Sequence, residues 1–213
     1  EKLEARILSE KANFVRAENE KRSSEELTEY RSIWSQYKDL SEKRDIKGMI
    51  SAAVQLDSQM VLDQTKNRIN TDLEAFQILD KFFKMSLEAL QEKGDDGKEV
   101  TIVRVPLAGS TRERKDRGIV DRIDREYIWI RLSDQNAVMP FKISEVTDRF
   151  IFGQVSDKFG KGSAEYRIPM GLLALYRGVP DVATEHFNVR QSKGAMPESW
   201  LNLLKWYQEN IGN

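Results

Sequence analysis

The sequence contains no cysteine and only one histidine, His186. The lack of cysteine excludes disulfides, thiolate metal sites and cysteine nucleophiles, but it leaves the cellular compartment open. Because no second histidine can share a metal ion, His186 is interpreted as a surface or packing residue of a helix. We therefore expect neither a metal site nor a histidine-based catalytic site.

Long apolar segments are also missing. No run approaches the roughly 20 apolar residues that a membrane-spanning helix needs, and no signal peptide is recognisable. The phosphate loop GxxxxGK[ST], the nucleophile elbow GxSxG and the zinc motif HExxH do not occur in the chain. These absences predict a segment that does not insert into a membrane, binds no cofactor and is not an enzyme.

Neither sign of charge dominates the composition. The chain has 34 basic and 35 acidic side chains among 213 residues, which gives a formal net charge of -1. No overall attraction to nucleic acid or anionic lipid is therefore expected, and any electrostatic binding must be local. Charged residues make up 32% of the chain and hydrophobic residues 39%, which indicates much exposed helix around ordinary cores.

The clearest strand pattern lies within residues 118–141. In Tyr127 to Leu132 the even positions are Ile, Ile and Leu, whereas the odd positions are Tyr, Trp and Arg, so one face is purely aliphatic. A run at 119–123 precedes this strand across a short polar turn, and a third run at 137–141 follows it. A further β-branched run at 99–105 lies upstream. We predict a meander that closes into a small barrel, because a narrow open sheet would expose unpaired edges.

The N-terminal region, residues 1–94, is predicted to be helical. A charged helix over residues 1–22 carries Leu3, Ile7, Phe14 and Ala17 on one side, and a serine-glutamate capping box at 23–26 predicts a second helix start. A break at residues 43–45 and a shorter helix beyond it complete a helical hairpin. The sequence therefore predicts a coiled arrangement of helices ahead of the β region.

A heptad spacing follows this hairpin and predicts a helix of about 30 residues that packs lengthwise on a partner. Two alternatives are open. The favoured alternative is packing against residues 1–57 of the same chain, because long helices are more often buried within their own chain. The second alternative is self-association as a dimer. The predicted helical seam consists of Leu62, Ile69, Phe76, Phe83 and Leu90.

Glycines at 94 and 97 are expected to end this helix and to form a short linker. The resulting division is a helical region at 1–94, a β module at 98–143 and a helical bundle at 144–213. Within the bundle, Ser144 is predicted to cap a first helix, helices are expected at 164–177 and 181–190, and a final helix starts near Pro197. The predicted fold class is α+β, mainly helical.

Two stretches resemble known families. Gly171, Gly178, Ala183 and Phe187 give residues 164–190 a small-residue and aromatic pattern that resembles a tetratricopeptide-like helical hairpin, although Pro180 departs from it. Residues 99–141 are similar to a small SH3-like barrel, with 117–123 similar to a KOW strand. Helix hairpin, barrel and helix pair in this order resemble accessory regions of membrane-associated bacterial proteins, which implies an extracytoplasmic setting within a larger multidomain protein.

The candidate interaction surface is the aromatic and basic face of the β module, which consists of Tyr127, Trp129, Arg117, Arg122 and Arg125. Amphipathic aromatic side chains of this kind are typical of protein interfaces. The alternative is that neighbouring helices cover the two rings, and this is expected for Trp129 in particular. The favoured function is a non-catalytic protein-interaction or structural segment, with a protein partner or self-association through helices.

Two other functions remain as alternatives. Seven basic side chains lie between residues 112 and 131, a pattern that could contact phosphates beside the stacking rings, but five acidic ones are interleaved and leave a surplus of only +2. Nucleic-acid binding is therefore the first alternative. An unrecognised hydrolase that pairs Asp121 with Asp124 is the second, although ion pairing with neighbouring arginines explains both acids more simply.

Overall fold

The computed structural model describes residues 2–106, 111–133, 135, 137–188 and 196–212, with side chains from residue 10 onward. This part of the chain is 68% helical and combines seven α-helices with a four-stranded antiparallel sheet, so the predicted α+β, mainly helical fold is confirmed. The elements are α1 (Lys2–Glu42), α2 (Ile46–Gln59), α3 (Asp63–Asp95), β1 (Glu99–Arg104), β2 (Arg114–Ile123), β3 (Tyr127–Leu132), β4 (Val138–Lys142), a 3-10 turn (Ile143–Glu145), α4 (Asp148–Phe159), α5 (Ala164–Tyr176), α6 (Pro180–Phe187) and α7 (Glu198–Asn210).

The first helix is continuous over 41 residues, so the predicted new helix start at Ser23 is wrong. Ser24 lies inside α1, and its carbonyl oxygen accepts a hydrogen bond from the Thr28 hydroxyl one turn later. Neither glycine nor proline occurs before Gly48, so nothing in the sequence forces the helix to stop at the serines.

The end of α1 lies where the sequence predicted a break. The Asp45 N–H donates to the Leu40 carbonyl at 2.9 Å, and the Arg44 N–H donates to the Ser41 carbonyl at 3.1 Å. This pattern is a Schellman motif, in which the residue after the last helical turn adopts a left-handed conformation. Arg44 holds that position with φ +56°, the one positive φ among the non-glycine residues that the structure describes.

Side chains also start the next two helices. The Asp45 carboxylate accepts from the Gly48 N–H at 2.9 Å and caps α2. Glu26, a buried residue of α1, accepts from the N–H groups of Val61 and Leu62 at 2.9 and 3.2 Å, immediately before α3. These bonds supply partners for backbone N–H groups that a helix start leaves without any, and they fix the angles between α1, α2 and α3.

The sheet is an antiparallel meander in the order β1-β2-β3-β4. Its outer edge at β1 is paired at one end, because the Val105 N–H donates to the Glu145 carbonyl and the Thr147 N–H donates to the Val103 carbonyl, both at 2.8 Å. The segment after β4 therefore returns to the end of β1 and covers part of one of the two edges that a narrow sheet exposes.

In the C-terminal region the cap of α4 differs from the prediction. Ser144 belongs to the 3-10 turn, and the Thr147 hydroxyl accepts from the Phe150 N–H and caps α4 instead. The two helices that resemble a tetratricopeptide pair, α5 and α6, pack closely, since a Cβ at Gly171 would lie 2.3 Å from the Phe187 ring. Helix α6 ends at Phe187, so the predicted helix is wrong at Asn188, whose backbone is extended, and residues 189 and 190 lie outside the described residues.

Contacts cross both of the predicted region boundaries. At the first, α3 continues to Asp95, and Gly94 packs on β2 so closely that a Cβ would lie 2.3 Å from the Val120 carbonyl oxygen. At the second, the Arg44 side chain donates to the carbonyls of Ile143 and Val146 at 2.6 and 2.5 Å. The buried hydrophobic residues that the structure describes form one connected core, so the sheet packs against the helices.

Candidate functional site

The outer face of β3 carries the predicted aromatic surface. Ile128 and Ile130 are fully buried on the inner face, whereas Tyr127 and Trp129 are half-buried on the outer one, with their ring centroids 6.1 Å apart. The alternation in the sequence therefore predicted the direction of each β3 side chain. Trp129 contacts the sheet and its turn, because the Arg122 guanidinium lies 4.1 Å from its ring centroid and its indole N–H donates to Asp124.

Asp124 organises the turn that leads into this strand. Its carboxylate accepts from the N–H groups of Glu126 and Tyr127 at 2.9 and 2.8 Å and from the Trp129 indole N–H at 2.7 Å. The hydrogen bond from Trp129, followed by those from the two backbone N–H groups, lowers the pKa of Asp124. Asp124 is therefore an ionised residue that shapes the turn and orients Trp129.

The arginines of this face are paired with acids. Arg117 contacts Glu99 at 2.8 Å, and Asp121 contacts both Arg131 at 2.9 Å and Arg122 at 3.5 Å. All three arginines are more than half exposed, so each pair adds little stability. The pairs nevertheless neutralise the face, because each arginine lies next to a carboxylate and leaves no continuous positive surface.

Arg125, the fifth residue of the predicted surface, lies elsewhere. It is exposed in the turn between β2 and β3 and lines a cleft between this turn and the end of α1, together with Lys43 and Lys142. The five predicted residues therefore belong to two sites, a paired outer face and a separate cleft, and no pattern in the sequence indicates this division.

The residues of the predicted helical seam face other elements of the same chain. Ile69, Phe76 and Leu90 are fully buried, and Leu62 and Phe83 are half-buried. The Phe76 ring contacts the rings of Tyr37 in α1 and Tyr176 in α5, with centroids 4.9 and 4.8 Å away. Helix α3 thus packs against α1, α2, α4, α5 and the sheet, so the seam residues contact other elements of the same chain.

A polar centre that the sequence interpretation missed lies beside this seam. Asp72 is fully buried, and its two carboxylate oxygens accept from the hydroxyls of Tyr30 at 2.8 Å and Tyr176 at 2.6 Å. Burial, opposed by these two hydrogen bonds, raises the pKa of Asp72 to about 7. One signal was present, since Asp72 is three residues after Ile69 and therefore lies on the buried side of α3.

A second polar centre, at the junction of α1, α4 and α5, was missed as well. The Asp148 carboxylate accepts a hydrogen bond from Arg44 Nε at 2.7 Å and also binds the guanidinium of Arg177. Burial alone would raise the pKa of Asp148, but the hydrogen bond from Arg177 and the charge of Arg44 outweigh burial and lower it. Arg44 and Asp148 are 104 positions apart, so no local pattern could predict their contact.

His186 lies in the last turn of α6 and is half-buried. Burial and the nearby charge of Arg167 lower the pKa of its imidazole. In the part of the chain that the structure describes, no group of three or more histidine, aspartate or glutamate residues is arranged to hold a metal ion. Within the same residues, no helix combines the length and the apolar character that crossing a bilayer requires.

Comparison of the chain with protein-family models, with curated proteins and with solved structures finds no match.

Proposed function

We propose that this chain is a non-catalytic adaptor, in which a rigid body holds one half of a long helix and presents the other half to a protein partner. The observation that carries the proposal is the division of α1. Its C-terminal half packs into the core, whereas every described side chain from residue 10 to residue 22 is exposed. A helix that is fixed at one end and free at the other suits the joining of two proteins.

The fixed half of α1 is anchored by aromatic packing. Tyr30, Trp34 and Tyr37 are buried at spacings of four and three residues, which places them on one face of the helix. The Trp34 ring stacks on Tyr176 with centroids 4.8 Å apart and contacts Tyr207 at 5.0 Å. Aromatic pairs of this kind add roughly 0.5–1.5 kcal/mol each beyond the burial of their area, so the direction of α1 is firmly set.

The free half has little to stabilise it alone. Phe14 and Val15 are 69% and 53% exposed, and the contacts described there are exposed ion pairs one turn apart, such as Arg16 with Glu20 at 2.9 Å. Such a pair contributes only about 0.3–0.5 kcal/mol. Helical segments without tertiary packing are marginal in water, so a helix from a partner would stabilise this half by covering its apolar side chains.

The nucleic-acid alternative has weaker support. Arg117, Arg122 and Arg131 already contact acidic neighbours on the outer face of the sheet. Phosphate groups would have to compete with these carboxylates, whereas a protein partner on the projecting helix would displace nothing. The arrangement therefore favours protein binding over binding to a nucleic-acid backbone.

The test is a capture experiment from an extract of the source cells with three baits: the wild-type chain, Phe14→Asp and Leu201→Asp. Leu201 is an exposed apolar residue of α7 and serves as the matched control. We expect a partner that binds the wild-type chain and the Leu201 variant and is lost from the Phe14 variant. Phe14→Asp should change the free energy of unfolding by less than about 0.5 kcal/mol, because Phe14 is 69% exposed, whereas the Leu201 variant, at a residue that is 37% exposed, should lose more stability and still bind the partner.

Hydrogen exchange and light scattering complete the test. Amides of residues 10–22 should exchange rapidly in the isolated chain and slowly in the complex, and a mass that doubles with concentration would identify the partner as a second copy. A partner held equally by all three baits, or exchange already slow in the isolated monomer, would contradict the proposal.

A further inference from the structure

A cleft of about 350 Å³ lies where the turn after α1 meets the sheet. Four basic residues and one acidic residue line it, although the chain as a whole carries a formal charge of -1. The basic residues come from three distant parts of the sequence and are Lys43, Arg44, Arg125 and Lys142. The acidic residue is Glu126.

Three of these cations have free side chains within the described structure. Lys43, Arg125 and Lys142 are exposed, and none of them has an ion pair with another described residue. Arg44 differs, because its guanidinium points inward to Asp148 and to the carbonyls of Ile143 and Val146. Arg44 therefore forms the rear wall of the cleft, and the other three cations remain available to a ligand.

The walls of the cleft are held in place by hydrogen bonds. Lys43 belongs to the Schellman turn that ends α1, and Arg125 belongs to the turn that the Asp124 carboxylate holds through two backbone N–H groups. The Ile143 N–H, next to Lys142, donates to the Glu126 carbonyl at 2.8 Å. The three cation-bearing segments are thus tied in position before any ligand arrives, which reduces the entropy that binding costs.

The cleft also has an apolar side. Phe83 of α3 is half-buried and lines it, beside the buried Ile143, and the exposed Ser144 hydroxyl can donate a hydrogen bond. A volume of about 350 Å³ lies at the lower end of the range for small-molecule sites, roughly 300–1,000 Å³. A ligand that matches these features carries more than one negative charge and a compact apolar or aromatic part.

We propose that this cleft binds the phosphomonoester group of a small organic phosphate. A phosphomonoester carries a charge of about -1.5 to -2 near neutral pH and three acceptor oxygens, so it matches three cations and a hydroxyl better than a single carboxylate does. The apolar part of the ligand then lies against Phe83. This site is independent of the projecting half of α1.

The probe is phenyl phosphate, titrated into the whole chain at low ionic strength and followed by calorimetry and by amide chemical shifts. We expect saturable binding, shifts centred on residues 43, 125 and 142–144, and weaker binding of both benzoate and inorganic phosphate. The charge reversals Arg125→Glu and Lys142→Glu should each weaken binding by about tenfold or more, because each removes a charge-assisted hydrogen bond.

Lys161→Glu is the matched control, because Lys161 is exposed in the turn after α4 and its replacement changes the net charge equally. It should alter the affinity less than about twofold, since its charge is distant and screened. Arg125→Gln and Lys142→Gln provide second variants if a charge reversal lowers the melting temperature. Absence of binding by phenyl phosphate, equal binding of benzoate, or equal weakening by the Lys161 variant would each overturn the proposal.

Discussion

The helical core and the junction of α1, α4 and α5 each contain a carboxyl group that is mostly removed from water, and the pKa values of the two groups are shifted in opposite directions. In the core, Asp72 binds the hydroxyls of Tyr30 and Tyr176, and burial raises its pKa to about 7. At the junction, Asp148 binds the guanidinium groups of Arg44 and Arg177, which lower its pKa despite burial. Complete burial among uncharged partners favours the protonated form of Asp72, whereas partial burial beside two guanidinium groups favours the ionised form of Asp148.

This difference separates two ways of joining elements. The core unites α1, α3 and α5 through hydrogen bonds from two tyrosine hydroxyls to Asp72 inside an aromatic cluster, where burial disfavours the ionised form of the acid. The junction unites the turn after α1 with α4 and α5 through full charges, which remain partly accessible to solvent. The junction also adjoins the open cleft between the turn after α1 and the sheet, because Arg44 lines that cleft.

The largest expected effect comes from Asp148→Ala. Arg44 is 8% exposed in its side chain, so removing the carboxylate leaves an almost fully buried cation without its counter-ion. We expect a loss of about 3–5 kcal/mol in the free energy of unfolding at neutral pH, the usual cost of breaking a buried ion pair from one side. Urea denaturation measures this loss.

Asp157→Ala is the control for this prediction, because Asp157 also pairs with a cation, Lys93 at 3.1 Å, but is 72% exposed. Its loss should stay below about 1 kcal/mol. Similar losses for Asp148 and Asp157 would remove the distinction between the junction and an ordinary surface ion pair.

The next effect in size is a dependence on pH that comes from Asp72. Because its folded pKa is raised from 3.8 to about 7, the stability it contributes is present below about pH 4 and is lost as the pH rises towards 7. In Asp72→Asn this titration is absent, while the amide can still bond both tyrosine oxygens. The variant should therefore gain about 3 kcal/mol relative to the wild type between about pH 4 and pH 7.5.

Urea denaturation of both proteins at the two pH values gives this difference directly, and the other titrating groups cancel because they are common to both. Asp148 has the opposite sign, since a lowered pKa gives stability that is present above about pH 4 and is lost only in stronger acid. A wild-type to Asn difference that does not change with pH would mean that Asp72 is ionised in the core after all.

The sequence predicts features that depend on local patterns, but not the long-range contacts of the two acids. The β3 alternation and the helix ends at residues 43–45 and at Gly178 follow from local periods and turn residues, and the structure reproduces them. The start predicted at Ser23 fails because serine and glutamate do not by themselves stop a helix, and no glycine or proline precedes Gly48. Local patterns cannot show the contacts of Arg44 with Asp148 or of Tyr176 with Asp72, because each joins residues 104 positions apart.

The smallest predicted effect isolates the backbone of Arg44 from its side chain. Within the described residues, three helices end in Schellman turns, and where α3 and α5 use Gly97 and Gly178 at the left-handed position, α1 uses Arg44. Both Arg44→Ala and Arg44→Gly remove the guanidinium from Asp148, but only glycine adopts φ +56° without steric cost. We expect Arg44→Gly to be about 1 kcal/mol more stable than Arg44→Ala, with both below the wild type, measured by urea denaturation. Equal stability of the two variants would show that the turn relaxes once the side chain is gone. A glycine variant more stable than the wild type would show that the contacts of Arg44 with Asp148, Ile143 and Val146 stabilise the fold by less than the backbone strain costs.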